Sequence, residues 1–210
     1  MSTHQVFRKA VVMALVSVAP ALALAQAAAR PDWKVGDTWT FAVSVNAGVG
    51  ASTRREEVRT VKEAGEAGYA LEFVAKAADG TIAAPETNNF SKDLNFIAPS
   101  GGANGGPQEF KWLQWPLEPG KSSQFESMVQ NAVATWKGKV AGWEEIVVPA
   151  GKFRALRLEF DRSGPFRYAA QESVWYAPDA KAVVKRIQSR PGGNRANDVT
   201  TTELLSYKLN

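Results

Sequence analysis

The chain of 210 residues contains no cysteine, and its only histidine is His4. Residues 1–25 run from a short basic stretch (Arg8, Lys9) through an apolar core, Ala10 to Leu24, to the triplet Ala23-Leu24-Ala25. That layout predicts a secretory signal peptide cleaved after Ala25, and export to the periplasm. Ser17 and Pro20 interrupt the apolar run, which is shorter than the roughly 18–20 residues a membrane span requires. The processed body, residues 26–210, would therefore carry neither cysteine nor histidine, and no membrane anchor.

Each absence removes a class of chemistry. Without cysteine there are no disulfides, even in an oxidising compartment, so an apolar core has to supply stability. Lipid attachment to a cysteine at the cleavage point is excluded as well. Ser-His-Asp and Cys-His sites lack their base or nucleophile. Zinc sites of the usual His and Cys ligands cannot form, and no aspartate-rich calcium loop is present. No catalytic residue, metal site or cofactor is expected.

Charge is nearly balanced, with 25 Lys+Arg against 21 Asp+Glu in the whole chain. Its distribution is uneven: residues 26–151 carry 12 basic and 15 acidic side chains, residues 152–195 carry 10 and 4. A basic face could favour lipid headgroups or an acidic envelope polymer. The favoured reading is plainer, a set of solvated lysines and arginines at outward strand positions. An exported chain of such small net charge is not expected to bind nucleic acid.

What the sequence does contain is period-two alternation, the mark of half-buried strands. Trp39, Phe41, Val43 and Val45 make one set; Tyr69, Leu71 and Phe73 a second; Phe90, Lys92, Leu94 and Phe96 a third. Leu156, Leu158 and Phe160 alternate with Arg157, Glu159 and Asp161, and Leu205, Tyr207 and Leu209 close the chain. Arg54–Glu63 also reads as a strand. Val148-Pro149-Ala150-Gly151-Lys152-Phe153 predicts a three-residue hairpin with a bulge, because proline presets the first turn position and Gly151 can take a positive φ. Four glycines between Ala98 and Pro107 predict a mobile loop between two halves. Trp33-Lys34-Val35-Gly36-Asp37-Thr38 is echoed by Leu117-Glu118-Pro119-Gly120-Lys121-Ser122, two copies of a turn that starts a strand. About nine or ten strands with few helices imply an all-β fold: a curled antiparallel meander forming a half-barrel or barrel-like sheet in a single domain, 26–210.

Seven tryptophans, all after residue 25, supply apolar faces suited to lipid or sugar contact. Trp112, Trp115 and Trp136 are the candidate ligand-binding residues. On a strand, Trp112 and Trp115 would face opposite sides, so one at most lines a concave pocket. Trp143 and Trp175, set in apolar strands, look most core-like. Glu159 and Asp161 share a face at about 7 Å along a strand, inside the inverting-glycosidase range, but alternation places them on the solvent side. Adjacent Glu144 and Glu145 point to opposite faces.

The run from Gly142 to Leu158, containing Val148-Pro149-Ala150-Gly151-Lys152-Phe153-Arg154-Ala155, resembles the VPAG-x-F-x-A hairpin of a group of exported bacterial proteins. Val174-Trp175-Tyr176-Ala177-Pro178, Val183-Val184-Lys185, the final Thr202–Leu209 and the early Gly36-Asp37-Thr38-Trp39 are similar to their W-Y-x-P segment, valine-lysine strand, last strand and first strand. Those proteins are periplasmic domains of unknown function with a sheet like the LolA/LolB half-barrel. The resemblance implies a fold and no catalytic residue. Where the group has glycine three residues after W-Y-x-P, this chain has Lys181. A disulfide-free β-rich body, abundant aromatics, a mobile glycine loop and a basic C-terminal half point to a non-enzymatic binding module for an apolar or amphipathic ligand or an envelope component, with a lipid, an amphipathic molecule or an envelope protein as partner. The alternatives are an envelope assembly factor acting through protein contacts and a carboxylate-dependent hydrolase of envelope sugars.

Overall fold

The computed structural model describes residues 26–47, 52–100, 105–129, 132–164, 170–190 and 198–210. The predicted signal segment lies outside them. The all-β expectation holds, with twelve strands rather than nine or ten. The first half comprises β1 (Thr38–Asn46), β2 (Thr53–Gly65), β3 (Gly68–Ala77), β4 (Glu86–Phe90), β5 (Phe96–Ala98) and β6 (Gln108–Glu109). The second comprises β7 (Ser122–Val129), β8 (Ala132–Val148), β9 (Gly151–Ser163), β10 (Ala170–Ala177), β11 (Ala182–Arg190) and β12 (Asp198–Lys208).

All strands belong to one antiparallel sheet in the order 6-5-4-3-2-1-12-11-10-9-8-7. Each strand therefore pairs with its sequence neighbour, and the one non-local junction is β1 with β12. The sheet curls into a nearly closed barrel with a seam between β6 and β7. At that seam the Met128 N–H donates to Gln108 Oε1 at 3.0 Å. The segment 110–121, which carries Trp112 and Trp115, links the two edge strands. The glycine-rich stretch joins β5 to β6, one strand before this division, and its residues 101–104 lie outside the described ones.

Alternation explains the strands, and three readings, two of alternation and one of turn chemistry, need correction. Residues 91–95 are a reverse turn rather than part of a strand: Leu94 adopts φ +63 and its N–H donates to the Ser91 carbonyl at 2.9 Å. Asn95, buried, fixes that turn by exchanging bonds with the Leu113 backbone, Nδ2 to O at 2.9 Å and N–H to Oδ1 at 2.8 Å. The Val148–Gly151 hairpin pairs from Val148↔Gly151, so only Pro149 and Ala150 connect the strands, with Gly151 at φ +132. On β12 the bulge opposite Thr40/Phe41 makes Leu204 the fully buried residue, while Tyr207 is exposed.

The core lies inside the barrel. Trp39, Phe41, Leu71, Leu156, Leu158, Phe160, Tyr176 and Leu204 are all buried there. Six of these sit at β-periodic inward positions of β1, β3 and β9, where apolar burial at ~25 cal/mol per Å² favours folding. The N-terminal segment is bridged to the core through two backbone bonds between Ala28 and Leu117, and a 3-10 turn, Pro178–Ala180, joins β10 to β11. Trp39 Nε1 donates to the Ala180 carbonyl (2.7 Å) and Trp33 Nε1 to the Lys181 carbonyl (2.8 Å), which tie that turn to the core.

Candidate functional site

A cavity of about 140 Å³ remains inside the barrel. Small barrels are ordinarily filled by their own side chains, so an interior space of this size marks the place to look for a ligand. It lies between the β1–β5 wall and the β10–β12 wall, with Phe41, Leu71, Phe90, Trp112 and Tyr176 among its apolar lining. Two arginines, Arg59 of β2 and Arg186 of β11, also line it.

The arginines are inward because the register makes them so. Arg59 is opposite Trp39 on β1, and Arg186 is opposite Val174 and Thr202 on its two neighbours, all lumen-facing positions. Burying a charge is costly unless it is paired, and both are paired. Arg59 holds Glu57 through Nε (2.7 Å) and Nη2 (2.6 Å). Its guanidinium carbon also lies 4.4 Å from the Phe41 ring centre and 4.8 Å from that of Phe73, between two aromatic faces. Arg186 makes a two-bond fork to Glu172, Nε and Nη2 each at 3.0 Å, and stands 5.0 Å over the Trp112 ring. Gln188 completes the group by donating to Glu172. Burial, and then the nearby positive charges of Arg186 and Arg55, draw Arg59 below its ordinary pKa; Glu57 opposes this.

The three candidate tryptophans occupy different places. Trp112 lines the cavity, in an irregular segment rather than on the expected strand. Trp136, fully buried on β8, lies behind Trp112, edge to face at 5.7 Å, stacked on Phe125 at 5.5 Å. Trp115 packs edge-on against Tyr176 at 5.0 Å and donates to the Asp93 carbonyl. Trp143 is only half-buried and reaches the Gln26 carbonyl, a correction to its core-like reading; Trp175 is buried against Glu144 and Lys185.

Indole hydrogen bonding separates these residues sharply. Six of the seven indole N–H groups donate to a protein acceptor. Trp112, a residue of the cavity lining, has a buried Nε1 with no partner. The buried Tyr176 hydroxyl, on a residue of the same lining, also has none, and burial pushes its pKa well above the usual value. Buried polar atoms are nearly always bonded; of the four without a partner among the described residues, the others being Gln108 Nε2 and Arg157 Nε, two belong to residues lining this one cavity.

Sequence reasoning singled out Trp112 and missed Arg59, Arg186, Glu57, Glu172 and Tyr176. It read the basic residues of 152–195 as solvated, whereas Arg186 and Arg162 face the lumen, Arg162 at 5.0 Å over Trp136. The available signal was phase: Glu172 is in step with Val174 and Tyr176 on a strand whose alternate positions are buried. Glu159 and Asp161 are exposed on the outer face, as expected. No group of three or more His, Cys, Asp or Glu able to hold a metal occurs among the described residues.

The chain shares the YmcC-like fold. It is similar to a protein of that fold, designated as exported, from Bacteroides fragilis, with TM-score 0.50 and 16% identity over 86% of this chain and 99% of that one. A protein designated a lipoprotein, from Parabacteroides distasonis, aligns over 87% of this chain and 100% of its own with TM-score 0.49 and 13% identity. No family model and no curated protein matches the chain. At such identity the likeness is one of architecture.

Proposed function

We propose that the protein is exported through residues 1–25, cleaved after Ala25, and serves in the periplasm as a non-enzymatic module that binds an apolar or amphipathic molecule within the barrel. One observation carries this reading: an aromatic-lined cavity, two of whose lining residues, Trp112 and Tyr176, hold a buried polar atom that no protein group satisfies. Its volume is close to that of an engineered protein cavity of about 150 Å³ that takes benzene. A single ring or a short chain fits; the bulk of a two-chain lipid does not.

Intrinsic tryptophan fluorescence, titrated with small apolar compounds, short-chain detergents and phospholipid, tests it. A saturable change is expected for at least one class, and Val174→Phe, which fills part of the cavity, is expected to abolish it. A flat response across all three classes overturns the proposal. Edman sequencing of the periplasmic protein is expected to begin at Gln26.

A second reading, an assembly factor, draws on a different observation. β7 spans eight residues but faces only the two-residue β6, leaving most of its outer edge without a ladder partner. Such an edge can accept a strand from another protein. Crosslinking in cells to one dominant protein through β7 would favour it over ligand carriage.

A further inference from the structure

The polar side chains lining the cavity are Arg59, Trp112, Tyr176, Arg186 and Thr202, so donors outnumber acceptors and the two hydroxyls alone can do either. Trp112 Nε1 can only donate, and the Tyr176 hydroxyl remains protonated at ordinary pH. Arg59 and Arg186 carry only donors. The acceptors next to them are taken: Glu57 by Arg59 and Arg55, Glu172 by Arg186 and Gln188. These bonds use Nε and Nη2 of Arg59 and Arg186, and the Nη1 side of each guanidinium takes no part in them.

The inward charges do not cancel. By register, Arg55, Arg59, Arg162 and Arg186 share the inward side with Glu57, Glu172 and Glu86, an excess of one positive charge among the described strand residues; Arg190 at the rim stands opposite Asp198. An apolar wall with orphaned donors and surplus positive charge is complementary to one kind of molecule, an apolar body with an acceptor-rich, negatively charged head.

Resting on the cavity reading above, we infer that the ligand is a small amphipathic anion, a carboxylate or a phosphate monoester on a short apolar group. Its oxygens accept from Trp112 Nε1 and the Tyr176 hydroxyl and lie against Arg59 and Arg186. The apolar group fills the space beside Phe41, Leu71 and Phe90.

Calorimetric titration of the purified protein with hexanoate, hexyl phosphate, 1-hexanol and hexylamine, all with the same chain, tests the head alone. At least one anion is expected to bind about tenfold or more tightly than 1-hexanol, since charge-assisted bonds are roughly twice as strong as neutral ones. Hexylamine is expected to bind weakest. Comparing the carboxylate with the phosphate shows which head the site prefers. Arg186→Gln is expected to erase the preference, but it strands Glu172 and could unfold the barrel. Tyr176→Phe removes one oxygen without disturbing packing, and is expected to weaken the preferred anion about three- to tenfold with near-ultraviolet circular dichroism unchanged. Equal affinity for acid and alcohol, or a preference for the amine, overturns the anionic head and leaves the cavity reading standing. Failure of all four to bind overturns both.

Discussion

The two halves of the barrel begin with the same turn and end at very different junctions. Gly36 and Gly120 adopt φ +90 and +88, and each donates its N–H to the next-but-one strand's bulge residue, Val61 O at 2.9 Å and Val140 O at 2.7 Å. The ladder slips after each acceptor, between Val61 and Glu63 and between Val140 and Gly142. The sequence echo is thus a structural repeat: two six-stranded meanders, each opened by one turn and bent by one bulge. Yet β1 is laddered to β12 from Thr38↔Lys208 to Asn46↔Val199, while β7 meets β6 through the Gln108 side chain. Equivalent turns do not impose equivalent edges; what docks on the turn does.

The residue after each glycine shows how. Asp37 is fully buried and accepts from the Lys34 N–H (2.9 Å) and the Asn210 N–H (2.7 Å), with Lys181 Nζ at 3.7 Å. It ties β1 to the C-terminus and to the β10–β11 turn. Lys121, its counterpart, reaches the Gln114 and Pro116 carbonyls near the surface. The first turn is a hub of the closed junction, and the second is local to the seam.

The largest expected break in this comparison is Asp37→Ala. It leaves two backbone donors and a lysine without their acceptor, and should cost about 3 kcal/mol in urea unfolding. Lys121→Ala should cost less than about 1 kcal/mol, the range of exposed side-chain bonds. Similar losses from both would show that the turns are energetically alike. Next, Gly36→Ala should destabilise by about 2 kcal/mol and Gly120→Ala by about 1 kcal/mol. Both need a positive φ, but only at Gly36 would a Cβ run into Asn210; at Gly120 nothing lies within 4 Å.

Hydrogen exchange reads the junctions directly. Amides of β1 that pair with β12 should exchange at the global unfolding rate, and those on the outer edge of β7 should exchange many times faster. Equal protection would mean that the seam is closed in solution. The smallest effect concerns Lys181, which holds φ +51. Lys181→Gly relieves about 1 kcal/mol of left-handed strain but removes the Nζ contact with Asp37. Thermal unfolding should shift by only a few degrees, and upward in an Asp37→Asn background, where that contact is already weakened.

Most of the strands were legible, because alternation in β1, β3 and β9 and the Pro149–Gly151 punctuation are read residue by residue. The Phe90–Phe96 alternation misled because Leu94, a good strand residue, is held in a turn by the Asn95–Leu113 bonds, which come from 18 residues away. Of the candidate site, Trp112 could be singled out by type and placement. Arg59 and Arg186 could not, since a charged residue within an alternating pattern reads as solvent-facing until its partner is known.

Periodicity and turn chemistry act between neighbours along the chain, so the strands, the repeated turn and the all-β class were written into local sequence before any long-range contact. The closure of β1 on β12, the seam at β6 and β7, and the lumenal arginines are decisions of the folded barrel. Curling the sheet sets which faces lose water, and a guanidinium is held inside only when register brings a carboxylate and an aromatic face to meet it.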